Sequence, residues 1–236
     1  MSIADKLTTI AENEQKVYET GEDNGIDMMW EFLQNGGKRV LYSAFFRELV
    51  LSEETVKPKY DIAPTTATLM FYQAKLPQSG KPLDIAEVEE KCGIKFDFSK
   101  VANMESFAQA TDAISRFNVI DLSSATNTYG VLWNCYGLKR VEKIIVSENT
   151  TFLAHAIESS NLEHCPFEGV IAKNGLTLQG CKKLDRETLL SVINCLKDYS
   201  ADTSGTVWKI TFGSDNIAKL TETELDEIRV KGWTYA

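Results

Sequence analysis

The sequence lacks any concentration of positive charge. Its 25 lysines and arginines are outnumbered by 34 aspartates and glutamates, the formal net charge is −9, and the basic residues form no cluster along the chain. Binding to nucleic acid without sequence preference needs a positive surface that neutralises phosphates, so this class of partner is disfavoured. An anionic membrane surface is disfavoured as a partner for the same reason.

Long apolar runs are also missing. Residues 1–6 carry no basic start leading into the apolar run of roughly 7–15 residues that a secretory signal requires. No stretch of the sequence approaches the ~20 apolar residues of a transmembrane helix. We therefore expect a soluble protein made in the cytoplasm without a signal peptide, with no membrane insertion. Its 43% hydrophobic content is ample for a folded core.

Cysteine and histidine are scarce. The five cysteines are an odd number without a C-x-x-C pair, which argues against a disulfide framework. The two histidines, His155 and His164, could suggest zinc only together with Cys165 and Cys181, and these four do not form the two close pairs that structural zinc usually takes. Walker-type loops and the G-x-S-x-G nucleophile motif are absent. We expect no metal site, no cofactor and no enzymatic activity.

What the sequence does contain is an apolar pattern that occurs twice in phase. One copy has the form L-x-x-L-x-L-x-x-N, and the preceding copy, 24 residues earlier, has the same gaps. Their members are Leu138, Val141, Ile144, Val146 and Asn149, preceded by Ile114, Phe117, Ile120, Leu122 and Ala125. The pattern is typical of a leucine-rich repeat, in which a short strand lies beside the equivalent strand of the next coil. It predicts that Ile144 and Val146 point inward and that Ile145 points outward.

Strand cores of the same form, with two apolar residues flanking any residue, recur along most of the chain. They begin at Tyr60, Phe96, Ile120, Ile144, Val170 and Ile210. The fold class predicted from them is α/β, a short-stranded leucine-rich-repeat solenoid with a parallel sheet, N-terminal helices and capping helices. We divide the chain into an N-terminal helical cap or attachment region, residues 1–56, and the solenoid with its C-terminal cap, residues 57–236.

Three helices are predicted within and after the repeats. A short one lies between Pro82 and Gly93, and a strongly amphipathic one starts near Asp185. The last helix opens with a capping box made by Thr221 and Glu224, and residues 233–236 follow it as a final strand or lid. Cys135 and Cys165 are expected to be small buried residues of the coils.

The first twenty residues carry apolar side chains at helical spacing: Ile3, Leu7, Ile10 and Val17. Two interpretations stay open. The helix packs on its own domain, or it forms a short parallel bundle between chains and makes the protein a homo-oligomer.

The predicted sheet has two rows of outward residues. The row between the core positions is Asp97, Asp121, Ile145, Ile171 and Thr211, and the row just before each strand is Lys95, Val119, Lys143, Gly169 and Lys209. A face with a polar half and an apolar half is unusual for a surface left to water. We therefore predict that Ile145 and Ile171, flanked by Lys143, contact a ligand or another chain. The alternative is that the helix near 185–197 covers them within the same chain.

Seven stretches of the sequence resemble those of a known protein family and occur in the same order as in that family. They are IADKLTTIAENEQKVYETG from residue 3, KPKYDIAPTTATLMFY from 57, KFDFSKVANMESFAQA from 95, VIDLSSATNTYGVLW from 119, FEGVIAKNGLTLQGCKKL from 167, LSVINCLKDYS from 190 and KLTETELDEIRVKGWT from 219. Nearly end to end, the chain resembles the BspA-like leucine-rich-repeat proteins encoded by phages and prophages of gut Firmicutes. The Pro- and Gly-interrupted segment between Tyr72 and Cys92 indicates that the first coil differs from the others.

This resemblance implies a non-enzymatic, tail-type virion protein made in the bacterial cytoplasm. Its repeat surface would bind the host or a partner protein, so the expected partners are other virion proteins or a host cell-surface protein or glycan. Three alternatives stay open: a structural decoration or assembly protein without a receptor role, a bacterial surface-adhesion protein of the same repeat class, and a tail-borne glycan hydrolase. The hydrolase requires two carboxylates converging in a groove.

Overall fold

The computed structural model describes residues 63–64, 66–76 and 80–236 of the chain. Several predictions concern residues outside these ranges and stay predictions. They are the N-terminal helix with Ile3, Leu7, Ile10 and Val17, the division of the chain near residue 56, and the strand core that begins at Tyr60.

The described part of the chain has a mixed α/β fold whose main sheet is parallel. Its four strands lie side by side in chain order: β1 Leu83–Asp84, β2 Ile114–Asp121, β3 Arg140–Val146 and β4 Phe167–Gly169. Every neighbouring pair in this sheet runs parallel. The parallel sheet predicted from the repeated apolar pattern is therefore confirmed for its central strands.

The register of β2 on β3 follows the 24-residue period of the sequence. Phe117 opposes Val141 and Ile120 opposes Ile144. All four side chains are buried, because residues at the same position of successive units stack into one core. Ile144 points inward as predicted, and so does Val146, with 0% and 3% of their surfaces exposed, whereas Ile145 is partly exposed.

The main chain is stacked a second time, away from the sheet. N–H groups of the segment 103–110 donate to carbonyl groups of 127–134, and those of 127–134 donate to 151–158. The first set is Ser106, Ala108 and Ala110 to Tyr129, Val131 and Trp133, at 2.7–2.9 Å. The second set is Gly130, Leu132 and Asn134 to Ala154, Ala156 and Glu158, at 2.9–3.2 Å. Successive units are thus hydrogen-bonded to each other on two sides.

Small polar side chains connect the same units inside the core. Thr111 donates to the carbonyl oxygen of Ala74 at 2.9 Å, Cys135 to that of Ala108 at 2.7 Å, and Ser159 to that of Cys135 at 2.7 Å. All three donors are buried, so each hydrogen bond satisfies a group that would otherwise be costly to bury. The prediction that Cys135 and Cys165 are buried is confirmed, since both are 0% exposed.

Two of the predicted helices flank the main sheet. Helix α1, Ile85–Cys92, begins after Asp84, whose carboxylate accepts from the N–H of Glu87 at 3.0 Å. Helix α2, Arg186–Cys195, begins after Asp185, whose carboxylate accepts from the N–H of Thr188 at 2.9 Å. Both helices start with an N-cap; the start of α2 near Asp185 was predicted from the sequence, whereas the cap of α1 was not.

The C-terminal part forms a second, smaller sheet. Its elements are β5 Trp208–Ile210, α3 Ser214–Ile217, α4 Glu222–Val230 and β6 Trp233–Tyr235, and β5 pairs with β6 in parallel. The predicted capping box is present at the start of α4, where Thr221 and Glu224 each accept a hydrogen bond from the other's N–H. The predicted final strand is β6.

Two predicted strand cores differ from the structure in pairing or position, although Phe96 and Phe98 are buried and Asp97 is exposed as predicted. Residues 96–98 lie outside the four-stranded sheet, and β1 is the neighbour of β2 instead. The core predicted from Val170 is displaced by three residues, because Ile144 opposes Phe167 and Val146 opposes Gly169. Phe167 therefore takes the buried position that the sequence pattern gave to Val170.

Candidate binding surfaces

The outward row of the main sheet consists of Asp121, Ile145 and Glu168, which oppose one another across β2, β3 and β4. Asp121 and Ile145 were predicted to lie together and do. Ile171 was predicted to extend this row, and that is wrong. It is 1% exposed and its main chain pairs with Leu196, just after α2, so it belongs to the core.

The second predicted row is also shorter than expected. Val119 and Lys143 oppose each other as predicted. Gly169 does not continue the row, because it opposes Val146. Lys143 instead donates to the carboxylate of Glu168 at 2.5 Å.

The outer ends of the predicted rows lie elsewhere in the fold. Asp97 and Asp121 occupy equivalent turns, since each accepts from the N–H two residues later, but only Asp121 is in the sheet. Hydrogen bonds from Ser99 lower the pKa of Asp97, and the neighbouring Lys95 is exposed. At the other end, Lys209 is in β5 and Thr211 bridges to Thr177. The predicted surface is thus divided among separate places.

Charges on the face of the main sheet are largely paired with each other. Arg116 and Arg140 oppose each other across β2 and β3, and Glu142 lies within hydrogen-bond distance of both, at 2.8 and 2.7 Å. The hydrogen bond from Arg140 lowers the pKa of Glu142. These side chains are partly exposed, so their ion pairs contribute little stability. They leave few charges on this face free to attract a partner.

An aromatic cluster, formed by Tyr129, Trp133 and His155, lies on the stacked turns. Trp133 and His155 are stacked, with ring centroids 4.2 Å apart and planes 12° apart. Tyr129 meets both rings edge-on at 6.1 Å and is 36% exposed. Leu153, two residues before His155, is 37% exposed. No sequence pattern predicted this cluster, although all its members lie in the turn segments between predicted strands.

The position of His155 in the cluster follows from the geometry of the turns. His155 has φ +59°, in the left-handed region, and the hydrogen-bonded stack places it beside Gly130 and Ser106, with φ of +63° and +54°. Because three successive units share this conformation, it is a property of the repeated turn rather than strain peculiar to the histidine. The turn thereby directs one aromatic side chain onto the ring of the unit before it.

A second candidate site is a cavity of 530 Å³ beside His164. His164 lies just before β4, and its carbonyl oxygen accepts from Val141. Its side chain is 8% exposed and its Nδ1 is hydrogen-bonded to the carboxylate of Asp185, the N-cap of α2. The cavity is therefore built where β3, the segment before β4 and the start of α2 meet.

Electrostatics hold Asp185 in its charged form. Burial by itself raises the pKa of Asp185, but hydrogen bonds from His164 and Thr188 outweigh it and lower the pKa below its usual value. Nitrogen and oxygen atoms of His164, Asp185 and Glu187 lie within 4.8 Å of one another, a set of ligand types that could hold a metal ion. This set differs from the grouping that the sequence suggested for zinc, which was His155, His164, Cys165 and Cys181. Both cysteines of that grouping are fully buried.

Comparison of the chain with protein-family models, curated proteins and solved structures found no match. Among the helices of the described residues, none has the length and apolar character needed to cross a membrane.

Proposed function

We propose that this chain is a non-enzymatic binding module. In this proposal it folds as a leucine-rich-repeat solenoid, belongs to a phage or prophage virion, and presents the aromatic cluster to a partner at the host cell surface. The observation that carries the binding role is the exposed edge of that cluster at Tyr129, beside the stacked rings of Trp133 and His155.

The repeated contacts between units support the solenoid. Side-chain hydroxyl groups donate to carbonyl oxygens 24 positions earlier in the chain, from Ser147 to Ser123 and from Thr126 to Ala102. Residues that oppose each other across β2 and β3 are also 24 positions apart. A chain whose units contact mainly their neighbours in sequence is the defining feature of a repeat protein. Hydrogen bonds at this spacing occur in the sheet, in the core and on the turns.

The aromatic cluster suits a binding role better than the predicted outward rows do. Aromatic side chains are enriched at protein interfaces because they offer a large rigid surface with a polar edge. Lys143 is already paired with Glu168, and Ile171 is buried. The binding role of Ile145, Asp121 and the other exposed members of those rows stays a prediction.

The resemblance to phage and prophage proteins supports a partner on bacterial cells, either a surface protein or a glycan. Other virion proteins are the second class of partner. A structural decoration protein would use the same turns to contact the particle. The aromatic cluster would then be covered by another virion protein, whereas in the host-binding role it would contact a molecule of the bacterial surface.

The charge state of Asp185 bears on the glycan-hydrolase alternative, because it decides which role this carboxylate could take. Asp185 and Glu163 line the same cavity, so two carboxylates do share a groove as a glycan hydrolase requires. Such an enzyme needs one carboxylic acid that keeps its proton near neutral pH, and the lowered pKa of Asp185 makes this residue unsuited to that one role. Asp185 is suited to holding His164 and the start of α2 in place.

Quantitative binding to bacterial cells tests the proposal. Fluorescently labelled protein should bind Firmicutes cells saturably, and the double variant Tyr129→Ala/Trp133→Ala should lose at least about tenfold in affinity, as expected for removal of aromatic anchors. Tyr136→Ala is the matched control, because Tyr136 is 55% exposed and lies outside the cluster.

Thermal unfolding of each variant by circular dichroism shows whether the fold is retained. If the double variant is unfolded, the single variant Tyr129→Ala decides the question. Saturable binding that survives loss of the cluster would contradict the proposed surface. Absence of saturable cell binding, with the protein found in purified particles, would favour the decoration role instead.

A further inference from the structure

The cavity beside His164 has an excess of positive charge. Among its lining side chains, four are cationic and two are anionic: Arg140, Lys182, Lys183 and Lys219 against Glu163 and Asp185. The whole chain carries a net charge of −9, so a net positive cavity departs from its general composition. A concave site with an excess of one sign of charge concentrates ligands of the opposite sign.

Arg140 has hydrogen-bond donors that the protein leaves available to a ligand. In the part of the chain that the structure describes, its side chain makes one hydrogen bond, from Nε to Glu142. Both terminal amino groups of the guanidinium, Nη1 and Nη2, are therefore available. An arginine fork of this kind binds the oxygens of a phosphate or carboxylate in a two-point contact.

The three lysines that line the cavity differ in how many of their hydrogen-bond donors the protein already uses. Lys183 makes one hydrogen bond, to Asn161, and Lys182 lies 3.5 Å from Asp215, so both keep donors for a ligand. Lys219 donates to the carbonyl oxygens of Lys182 and Leu184 and to Asn216. These three bonds use all the protons of its ammonium group, so Lys219 contributes charge and fixes the loop.

The imidazole of His164 is a further polar group that lines the same cavity. Its side chain is 8% exposed, and its Nδ1 is used by Asp185. Within the described residues its Nε2 makes no hydrogen bond, and it is not among the polar atoms that are buried without a partner. Nε2 can donate to a ligand oxygen when the ring carries both protons, and it can accept from a P–OH group when it carries only the Nδ1 proton.

A metal ion is the competing occupant, because His164, Asp185 and Glu187 have ligand atoms close together. Two observations disfavour it. Both carboxylate oxygens of Asp185 already accept hydrogen bonds, from Thr188 and from His164. A divalent cation would also lie near four cationic side chains, which repel it.

From these contacts we infer that the cavity binds a phosphate group, with Arg140 as its two-point donor and Lys182, Lys183 and His164 around it. The four cationic side chains of the lining outnumber its two carboxylates, which favours a ligand with the charge of about −2 that a phosphomonoester or free phosphate carries near neutral pH. This inference is independent of the role of the aromatic cluster.

Isothermal titration of the full chain at low ionic strength tests the inference with three probes. Inorganic phosphate and phenyl phosphate should bind with 1:1 stoichiometry, and dimethyl phosphate, with a single charge, should bind at least about tenfold more weakly. Tighter binding of phenyl phosphate than of inorganic phosphate would indicate an esterified ligand. Tighter binding of inorganic phosphate would indicate the free ion.

The matched variants are Arg140→Gln and Arg116→Gln. Both arginines are partly exposed and contact Glu142, and they oppose each other in the sheet, but only Arg140 lines the cavity. Arg140→Gln should weaken phosphate binding at least about tenfold, and Arg116→Gln should leave it nearly unchanged. Lys183→Gln provides a second cavity variant if Arg140→Gln lowers the melting temperature.

Three results would overturn the inference. They are no heat of phosphate binding, equal loss of binding in the Arg140 and Arg116 variants, and saturable Zn²⁺ binding that phosphate does not affect and that His164→Asn abolishes. The last result would assign the cavity to a cation.

Discussion

At the scale of single residues, Gly169, the last residue of β4, allows this strand to pair with β3 in the observed register. Its φ is +110°, and a Cβ built on it would lie 1.9 Å from the carbonyl oxygen of Val146. Only glycine fits that close approach of β4 to β3. The apolar pattern alone favoured Val170 as the start of this strand, because a pattern of side chains does not contain the distance between two backbones.

Gly169→Ala should therefore destabilise the protein far more than an ordinary glycine substitution. Gly205→Ala is the matched control, since Gly205 has φ +79° but nothing within 4 Å of its Cβ position. We expect Gly169→Ala to lower the free energy of unfolding by about 2–4 kcal/mol and Gly205→Ala by about 1 kcal/mol. Urea denaturation at equilibrium measures both, and equal effects would contradict the steric explanation.

Single residues also show which positions could be predicted from the sequence and which could not. Burial of Ile144, Val146 and Cys135 followed from their place in the repeated pattern. Ile171 was misplaced because inward and outward depend on pairing with another strand, and an error of register moves a side chain to the opposite face. The stacking of Trp133 on His155 depends on the left-handed turn, which neither residue type indicates.

At the scale of elements, helices were easier to predict than strands because their signals are local. The capping box of Thr221 and Glu224 and the N-caps Asp84 and Asp185 each lie within one turn of the helix that they start. Strands depend on partners a whole unit away, so the neighbour of β2 was β1 rather than the predicted segment near Phe96.

Helix α2 provides a prediction about pH. The folded pKa of Asp185 is lowered, so its contribution to stability is present above the pKa of the unfolded chain and is lost as pH falls through the folded pKa. Asp185→Asn keeps a capping side chain but removes the charge. Its free energy of unfolding should change less between about pH 6 and about pH 3 than that of the unsubstituted protein.

Asp84→Asn is the control for this experiment, because Asp84 caps α1 in the same way. Asp185→Ala, which also removes the cap, should cost about 1–2 kcal/mol at neutral pH. Guanidinium unfolding curves across the pH range give these values. An identical acid response in the Asp185→Asn and unsubstituted proteins would show that the charge on Asp185 contributes nothing.

At the scale of the whole molecule, the 24-residue period joins the sheet, the core and the turns. Residues at the same position of successive units meet in β2 and β3, in the ladder of Thr111, Cys135 and Ser159, and on the stacked turns. The period was readable from the sequence because each unit must bury the same face against its neighbour. The ends were less readable, since β5 and β6 close the fold in a separate sheet.

If the chain is a solenoid as proposed, its length can be changed by one whole unit but not by half of one. Deleting residues 122–145 removes 24 positions and joins Asp121 to Val146 in phase, because Asp121 and Ile145 are equivalent in the register. Each remaining unit would then meet a neighbour with the same pattern of buried residues. We expect this variant to fold and unfold cooperatively, with lower stability because one interface between units is lost.

Deleting only residues 122–133 is the control. It removes fewer residues but shifts the strand that follows by half a unit, so buried and exposed positions no longer coincide. This shorter deletion should lose cooperative thermal unfolding and expose apolar surface to a hydrophobic dye. If the half-unit deletion folds as well as the whole-unit deletion, the units do not act as interchangeable coils and the solenoid proposal fails.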